Sequence, residues 1–238
     1  MNLNLGRTVR AWHKWLGLLV GAQLVLWAVS GFYMVVVDLD FIHGDTLVRS
    51  AASTLSLSDD VLPVASLADR YSHVRSATLK SLPGFARPVY EIRTHEGTSV
   101  IDAVSGELLS PMSKETIETF ARTYYAGRGQ LVRSELLQAA PAEVRGRPMP
   151  LWKIDFDDTY RTSFYLDPVN GALVTRRHRW WRWFDTFWML HVMDYGYERD
   201  DVNNTLLRAL SGIGVIFAAT GIWLLFFSFR RGQARAQP

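Results

Sequence analysis

Two long runs of apolar residues lie near the two ends of the chain and frame a polar middle. Residues 16–37 carry no charged side chain, and neither do residues 209–229. A helix needs about 20 apolar residues to cross a bilayer. The hydrocarbon core offers no partner for backbone polar groups, so each run should be helical. The pattern therefore predicts two transmembrane helices, at 15–37 and 206–229.

The polar middle contains a segment that occurs twice. Both copies alternate apolar and polar residues, and both end in the pattern Asp-x-Val-[Ser/Asn]-Gly-x-Leu, at 102–108 and at 167–173. The alternation predicts antiparallel strands joined by hairpins. The Gly supplies a positive φ for a tight turn and the Asp can bond the turn backbone, so we assign both a structural role and no catalytic one.

A helix-like stretch precedes each copy, at 61–71 and at 113–125, and the second begins with a capping Ser113. The middle is therefore predicted to be two tandem units, 38–110 and 111–175, each with a helix on a small antiparallel sheet. The predicted fold class is membrane α+β.

The charges are distributed unevenly between the middle and the ends. All 23 acidic residues lie between Asp38 and Asp201. Seven of the 26 basic residues lie outside that window: Arg7, Arg10, Lys14, Arg208, Arg230, Arg231 and Arg235. Basic residues that flank a span mark its cytoplasmic side. This predicts a cytoplasmic N-terminus (1–14), a cytoplasmic tail (230–238) and an external middle domain. The pI of 9.3 thus reflects topology, and no nucleic-acid motif accompanies it.

The segment before the second span is rich in tryptophan. Trp180, Trp181, Trp183 and Trp188 fall within nine residues, among basic and acidic side chains. Trp prefers the boundary between membrane and water. We therefore predict an amphipathic interfacial helix within 176–200. The simpler interpretation is that it only docks the polar domain on the membrane.

Three of the six histidines, His13, His43 and His191, lie at predicted membrane edges. Neutral imidazole is a common axial ligand of haem iron, so all three are candidate haem-iron ligands. The chain has no Cys, which excludes covalent c-type haem and leaves haem b. The alternative is that each His only forms hydrogen bonds at the interface.

The predicted helix separates these histidines into two levels. His43 and His191 are expected at the outer face, where they could share one haem. His13 lies at the inner face, about 33 Å away along a 22-residue helix. An inner site would need another ligand, for example His13 of a second subunit. The small residues Gly17 and Gly21 offer a face for such a homodimer.

Several of these motifs together resemble the PepSY-associated transmembrane proteins. The opening pattern Arg10-x-x-His13-x-Trp-Leu-Gly17, followed by Ser30 and Gly31, is similar to the start of that family. The repeated unit resembles tandem PepSY domains. His191 and the helix containing Gly221 are similar to the family's closing region. The likeness covers nearly the whole chain.

The resemblance implies a bacterial inner-membrane protein with a periplasmic PepSY portion. Longer relatives include haem-containing reductases of ferric siderophores, which act in iron uptake and carry electrons across the membrane. His13 and His191 match the family's membrane-edge histidines, whereas His43 is a candidate by position only. This chain has two spans where those relatives have about four. A homodimer or a partner redox membrane subunit would therefore have to complete an electron path.

Two other functions are compatible with the sequence. The duplicated domain could be a module that binds a periplasmic protein, or the chain could be an accessory subunit that anchors a larger complex. If the protein takes part in catalysis, it would be a membrane oxidoreductase component, and no residue of its own is assigned a catalytic role.

Overall fold

The computed structural model describes residues 3–49, 60–67, 70–71, 73–197 and 201–235. One long helix lies at each end of the chain, and short helices and strands lie between them. In chain order they are α1 (Leu3–Val36), α2 (Leu39–His43), β1 (Ser76–Ser81), β2 (Pro88–Arg93), β3 (Thr98–Asp102), α3 (Lys114–Tyr124), β4 (Leu131–Leu137), β5 (Leu151–Phe156), β6 (Ser163–Leu166), β7 (Leu173–Arg177), α4 (Arg179–Val192) and α5 (Thr205–Arg235). Short 3₁₀ helices lie at Asp45–Leu47, Val64–Leu67 and Ala142–Val144.

These elements form two compact units. One contains α1, α5 and α4 from Trp183 onward, and the other extends from Leu39 to Arg182. The two apolar helices thus flank a domain of two antiparallel sheets and helices. This confirms the predicted membrane α+β fold class.

The two long helices are apolar enough and long enough to cross a membrane, over Arg7–Val36 and Thr205–Phe226. Most of their large apolar side chains are exposed, as expected where lipid replaces water. The helices pack antiparallel, because His13 lies at the level of Thr220 while Gly17, one turn later in α1, lies at the level of Phe217. Both helices continue past the uncharged runs into basic segments.

In the other unit, the two sheets have the strand orders β1-β2-β3 and β4-β5-β6-β7, and all neighbours are antiparallel. The predicted repeat aligns β2 with β5 and β3 with β6. The second sheet then has an additional strand, β7, which leads into α4 after His178. The repeat therefore covers three strands in each sheet, and β7 has no counterpart in the first sheet.

The turns that close both repeats have the chemistry expected from their sequence. Asp102 Oδ1 accepts from the backbone N–H of Val104 at 2.8 Å, and Asp167 Oδ1 accepts from that of Val169 at 2.7 Å. The glycine four residues after each Asp has a positive φ, 73° and 67°. The structural role predicted for these residues is confirmed.

The second predicted helix is also confirmed, since α3 begins after Ser113, whose hydroxyl accepts from Thr116 N–H at 3.2 Å. The helix predicted at 61–71 is wrong over the described residues. Only Val64–Leu67 forms a 3₁₀ turn, and residues 68–69 lie outside the described part of the chain. Pro63 accounts for the non-helical start of this segment, because the residue before a proline, Leu62, is disfavoured in the α region.

The largest core cluster of this unit is shared between the two repeats. Ile117 and Phe120 of α3 are fully buried, and they belong to one cluster with Val89 and Val100 of the first sheet and with Ile154 and Phe164 of the second. One α-helix therefore contacts both sheets.

The first sheet has a second cluster of its own. Leu67 of the 3₁₀ turn is buried there with Tyr90, Ile92 and Ile101. The segment before the first sheet thus packs on that sheet, as a 3₁₀ turn in place of the expected helix.

Candidate functional site

His13 extends from α1 toward α5. Its ring stacks on Phe217, with centroids 4.5 Å apart and planes 7° from parallel. Its Nδ1 lies 2.8 Å from Thr220 Oγ1. A Cβ added at Gly221 would lie 3.2 Å from the ring, so the glycine leaves the space that the imidazole edge needs.

His191, near the end of α4, meets α1 in a similar way. Its Nδ1 lies 2.9 Å from Ser30 Oγ. Trp27 Nε1 donates to the backbone carbonyl of His191 at 2.8 Å. A Cβ added at Gly31 would lie 3.5 Å from the ring. Each histidine is thus paired with one hydroxyl and one glycine of a neighbouring helix.

Each hydroxyl also lies within hydrogen-bond distance of a backbone carbonyl of its own helix. Thr220 Oγ1 is 2.8 Å from Phe217 O, and Ser30 Oγ is 2.7 Å from Leu26 O. A hydroxyl has one proton, so a hydroxyl that donates to its carbonyl accepts from Nδ1–H of the histidine. We assign this tautomer to both rings, and it leaves the lone pair on Nε2.

The two histidines occupy separate levels of the helix pair. His13 and the Ser30 that contacts His191 are 17 residues apart in α1, which is about 25 Å of helix at 1.5 Å per residue. A hydrocarbon core is about 30 Å thick. The two rings therefore lie toward opposite ends of the span and cannot ligate one iron atom together.

The donor set fits haem as one ligand at each level. Haem iron takes a neutral imidazole nitrogen, and a ligating His commonly donates its other ring N–H to a neighbouring acceptor. His13 and His191 both have this arrangement. Helices α1, α4 and α5 contain no further histidine, so a second histidine ligand would have to come from another part of the chain or from another subunit.

A buried amide lies between the two levels. Gln23 of α1 is 9% exposed, and its Nε2 has no hydrogen-bond partner among the described residues. An unmade hydrogen bond of this kind costs about 1–3 kcal/mol.

His43 has a different environment. It ends α2, in the Leu39–Arg182 unit, and its side chain is exposed. Its backbone carbonyl accepts from Arg176 Nε at 2.9 Å. The haem role of His43 stays a prediction by position.

The glycines of the predicted dimer face also differ. A Cβ at Gly17 would lie 3.1 Å from Phe217 of the same chain, whereas Gly21 has no neighbouring atom within 4 Å. Gly17 therefore makes room for Phe217 of α5 in the same chain. Of the two glycines, only Gly21 lies at an open surface. The homodimer itself stays a prediction.

Sequence reasoning assigned no role to His178, which is fully buried. Its Nε2 donates to the carbonyls of Phe41 at 2.8 Å and Ile42 at 3.1 Å. Nδ1 is buried without a partner among the described residues. Burial lowers the pKa of His178 below its ordinary value, against the opposing effect of the two carbonyls. Its arginine neighbours in sequence, Arg177 and Arg179, gave no signal of burial.

The described residues contain no group of three or more His, Asp or Glu that could hold a metal ion. A metal cluster built from side chains alone is thus not seen in the described part of the chain. The candidate site remains the pair of histidines, His13 and His191, with their hydroxyl partners.

A protein-family model matches the chain. The model described as the PepSY-associated TM region matches residues 10–237, which is nearly the whole chain. Comparison with curated proteins and with solved structures gave no match.

Proposed function

Because the chain belongs to the PepSY-associated TM family, we propose that it is a haem-binding component of transmembrane electron transfer. The electrons would pass to an acceptor on the side of the Leu39–Arg182 unit, in the bacterial inner membrane. The acceptor class implied by the family resemblance is a ferric chelate such as a ferric siderophore.

The observation that carries the proposal is the matched pair of histidines. His13 and His191 each place Nδ1 against a hydroxyl of a neighbouring helix, and Nε2 of neither ring forms a hydrogen bond among the described residues. In the assigned tautomer Nε2 carries the lone pair. The same tautomer at two levels is the form that a haem ligand requires.

The neighbouring residues would hold each imidazole in place. Thr220 and Ser30 would hold the proton at Nδ1. This would fix the rotation of each ring and so the direction in which the Nε2 lone pair points. Phe217 restricts His13 by stacking, and Trp27 restricts the backbone at His191. Bound haem would supply a one-electron Fe(III)/Fe(II) couple, while the protein provides ligation and orientation.

The spacing of the two levels supports a transmembrane role. Sites about 25 Å apart along α1 would lie toward opposite faces of a core about 30 Å thick. One site alone would serve storage or sensing at one face. Two sites at opposite ends of one helix pair suit transfer between the faces.

The test is the absorption spectrum of the full chain, purified in detergent after expression with ample haem, oxidised and then reduced with dithionite. We expect a Soret band with reduced α and β bands. His13→Ala and His191→Ala should each remove part of the haem and the double variant all of it. His95→Ala, an exposed histidine of the other unit, is the control.

His43→Ala extends the experiment to the third candidate. If His43 is the second ligand of the outer haem, its variant should change the spectrum in the same way as His191→Ala. A featureless spectrum of the wild type, or a double variant with unchanged haem content, would overturn the proposal.

A further inference from the structure

A basic cavity lies in the Leu39–Arg182 unit. It has a volume of about 300 Å³ and is lined by β5, β6, the loop between them and the start of α4. Its lining residues are Lys153, Asp155, Phe156, Arg161, Thr162, Ser163, Arg179 and Arg182. Four basic side chains thus face one carboxylate.

The carboxylate is already satisfied. Asp155 Oδ1 accepts from Ser163 Oγ at 2.6 Å and lies 3.5 Å from Lys153 Nζ. Its charge is therefore largely balanced by Lys153. Asp155 therefore does not offset the charges of Arg161 and Arg179.

Arg182 is held rigidly at the wall. Its guanidinium contacts both carboxylate oxygens of Glu143, at 3.2 and 2.9 Å, and it donates to Ser163 Oγ at 3.0 Å and to Arg161 O at 2.9 Å. An arginine fixed in this way shapes the cavity and positions the Arg161 backbone, where φ is 52°.

Arg161 and Arg179 differ from Arg182, because neither has an acidic partner among the residues that the structure describes. Arg179 lies over the ring of Trp180, 5.9 Å from its centroid. Both arginines line the same cavity and are available to an anion. A planar guanidinium binds phosphate oxygens in a bidentate manner.

We propose that this cavity binds the phosphate of an anionic phospholipid headgroup. Arg179 and Arg182 lie in the first turn of α4, which also carries Trp180, 37% exposed. Trp and basic residues side by side are typical of the membrane interface, where an arginine can bind the phosphate of a headgroup. A free phosphate shares the same chemistry, so the test separates the two sources.

The test compares charge-matched variants of the full chain. Arg161→Gln/Arg179→Gln removes the two unpaired arginines. Arg128→Gln/Arg147→Gln removes two exposed arginines of the same unit outside the cavity. Delipidated protein in detergent is titrated with phosphatidylglycerol or phosphatidylcholine, and bound lipid is counted by native mass spectrometry.

We expect phosphatidylglycerol to bind the wild type, and its affinity to fall at least tenfold in Arg161→Gln/Arg179→Gln but less than twofold in Arg128→Gln/Arg147→Gln. Arg161→Lys/Arg179→Lys should retain part of the binding, which separates charge from folding. Phosphatidylcholine, which has no net charge, should bind weakly to all variants.

Equal losses in both Gln variants would overturn the cavity as the site. Inorganic phosphate, titrated alone by calorimetry, is the second arm. Suppose that inorganic phosphate binds the wild type and that Arg161→Gln/Arg179→Gln abolishes this binding. If phosphatidylglycerol then binds no better than phosphatidylcholine, the cavity binds free phosphate, and the proposed lipid ligand is wrong.

Discussion

At the scale of single residues, the hydroxyl partners decide how the histidines are used. Ser30 directs the proton of His191 to Nδ1, and its loss would free the ring to rotate or change tautomer. We expect Ser30→Ala to weaken haem binding by about 10–100-fold, the usual effect of losing such a partner. Haem titration followed at the Soret band measures this.

Two further variants make that prediction specific. Ser30→Thr keeps the hydroxyl and should retain most of the affinity. Ser211→Ala removes an exposed serine of α5 and should have no effect. Wild-type affinity in Ser30→Ala would show that the hydrogen bond does not tune a ligand.

His178 predicts a dependence of stability on pH. Burial lowers its pKa in the folded protein below the ordinary 6.5. The unfolded chain therefore takes up the proton first as the pH falls. Stability should be complete above pH 6.5 and decline below it, until the folded pKa is passed. Chemical unfolding of the full chain in detergent at pH 7.5, 6.5 and 5.5 measures the trend.

The variants of His178 identify the group responsible. His178→Leu should lose about 2 kcal/mol at pH 7.5, because the carbonyls of Phe41 and Ile42 lose their donor. It should also show a flatter pH dependence. His95→Leu, at an exposed position, should keep the wild-type trend, and an equally steep curve in His178→Leu would contradict the assignment.

At the scale of elements, the turn after β6 packs closely against α3. A Cβ added at Gly171 would lie 2.0 Å from the Phe120 ring, and φ there is 67°. Gly171→Ala should cost about 3 kcal/mol or more, since it adds overpacking to backbone strain. Thermal unfolding in detergent should show a lowered Tm.

Gly146 provides the matched control. Its φ is 70°, and no atom lies within 4 Å of an added Cβ. Gly146→Ala should therefore cost only the strain, about 1–2 kcal/mol. Equal losses at both positions would mean that the contact with Phe120 contributes nothing.

The elements also show how far local sequence could predict the fold. The Asp and Gly of both turns and the Ser113 cap act within a few residues, so sequence alone identifies them. Contacts between distant segments are different. Ser30 and His191 are 161 residues apart, and the residue types at the two positions carry no sign of the pairing.

The same limit explains the errors. The helix expected over 61–71 overlooked Pro63, which disfavours helix at the residue before it. The shared core around Phe120 depends on how two sheets meet, which a repeat pattern does not specify. The candidate haem histidines were found because membrane edges are visible in hydropathy, whereas the buried His178 was not.

At the scale of the whole molecule, the distribution of charge predicts the orientation in the membrane. The acidic residues all lie in the middle and basic residues flank both apolar helices at the chain ends. Basic flanks resist translocation. We therefore expect both ends on the cytoplasmic side and the Leu39–Arg182 unit on the outer side of the inner membrane.

The absence of Cys from the sequence makes every introduced cysteine a unique label. Arg128→Cys, at an exposed position of the middle unit, should react with a membrane-impermeant maleimide in intact spheroplasts. Arg7→Cys, before the first apolar run, should react only after permeabilisation. The cysteine-free wild type gives the background. Labelling of Arg7→Cys in intact spheroplasts would reverse the orientation. An electron acceptor would then meet the middle unit on the cytoplasmic side, so this result bears on the proposed direction of transfer and leaves the histidine sites untouched.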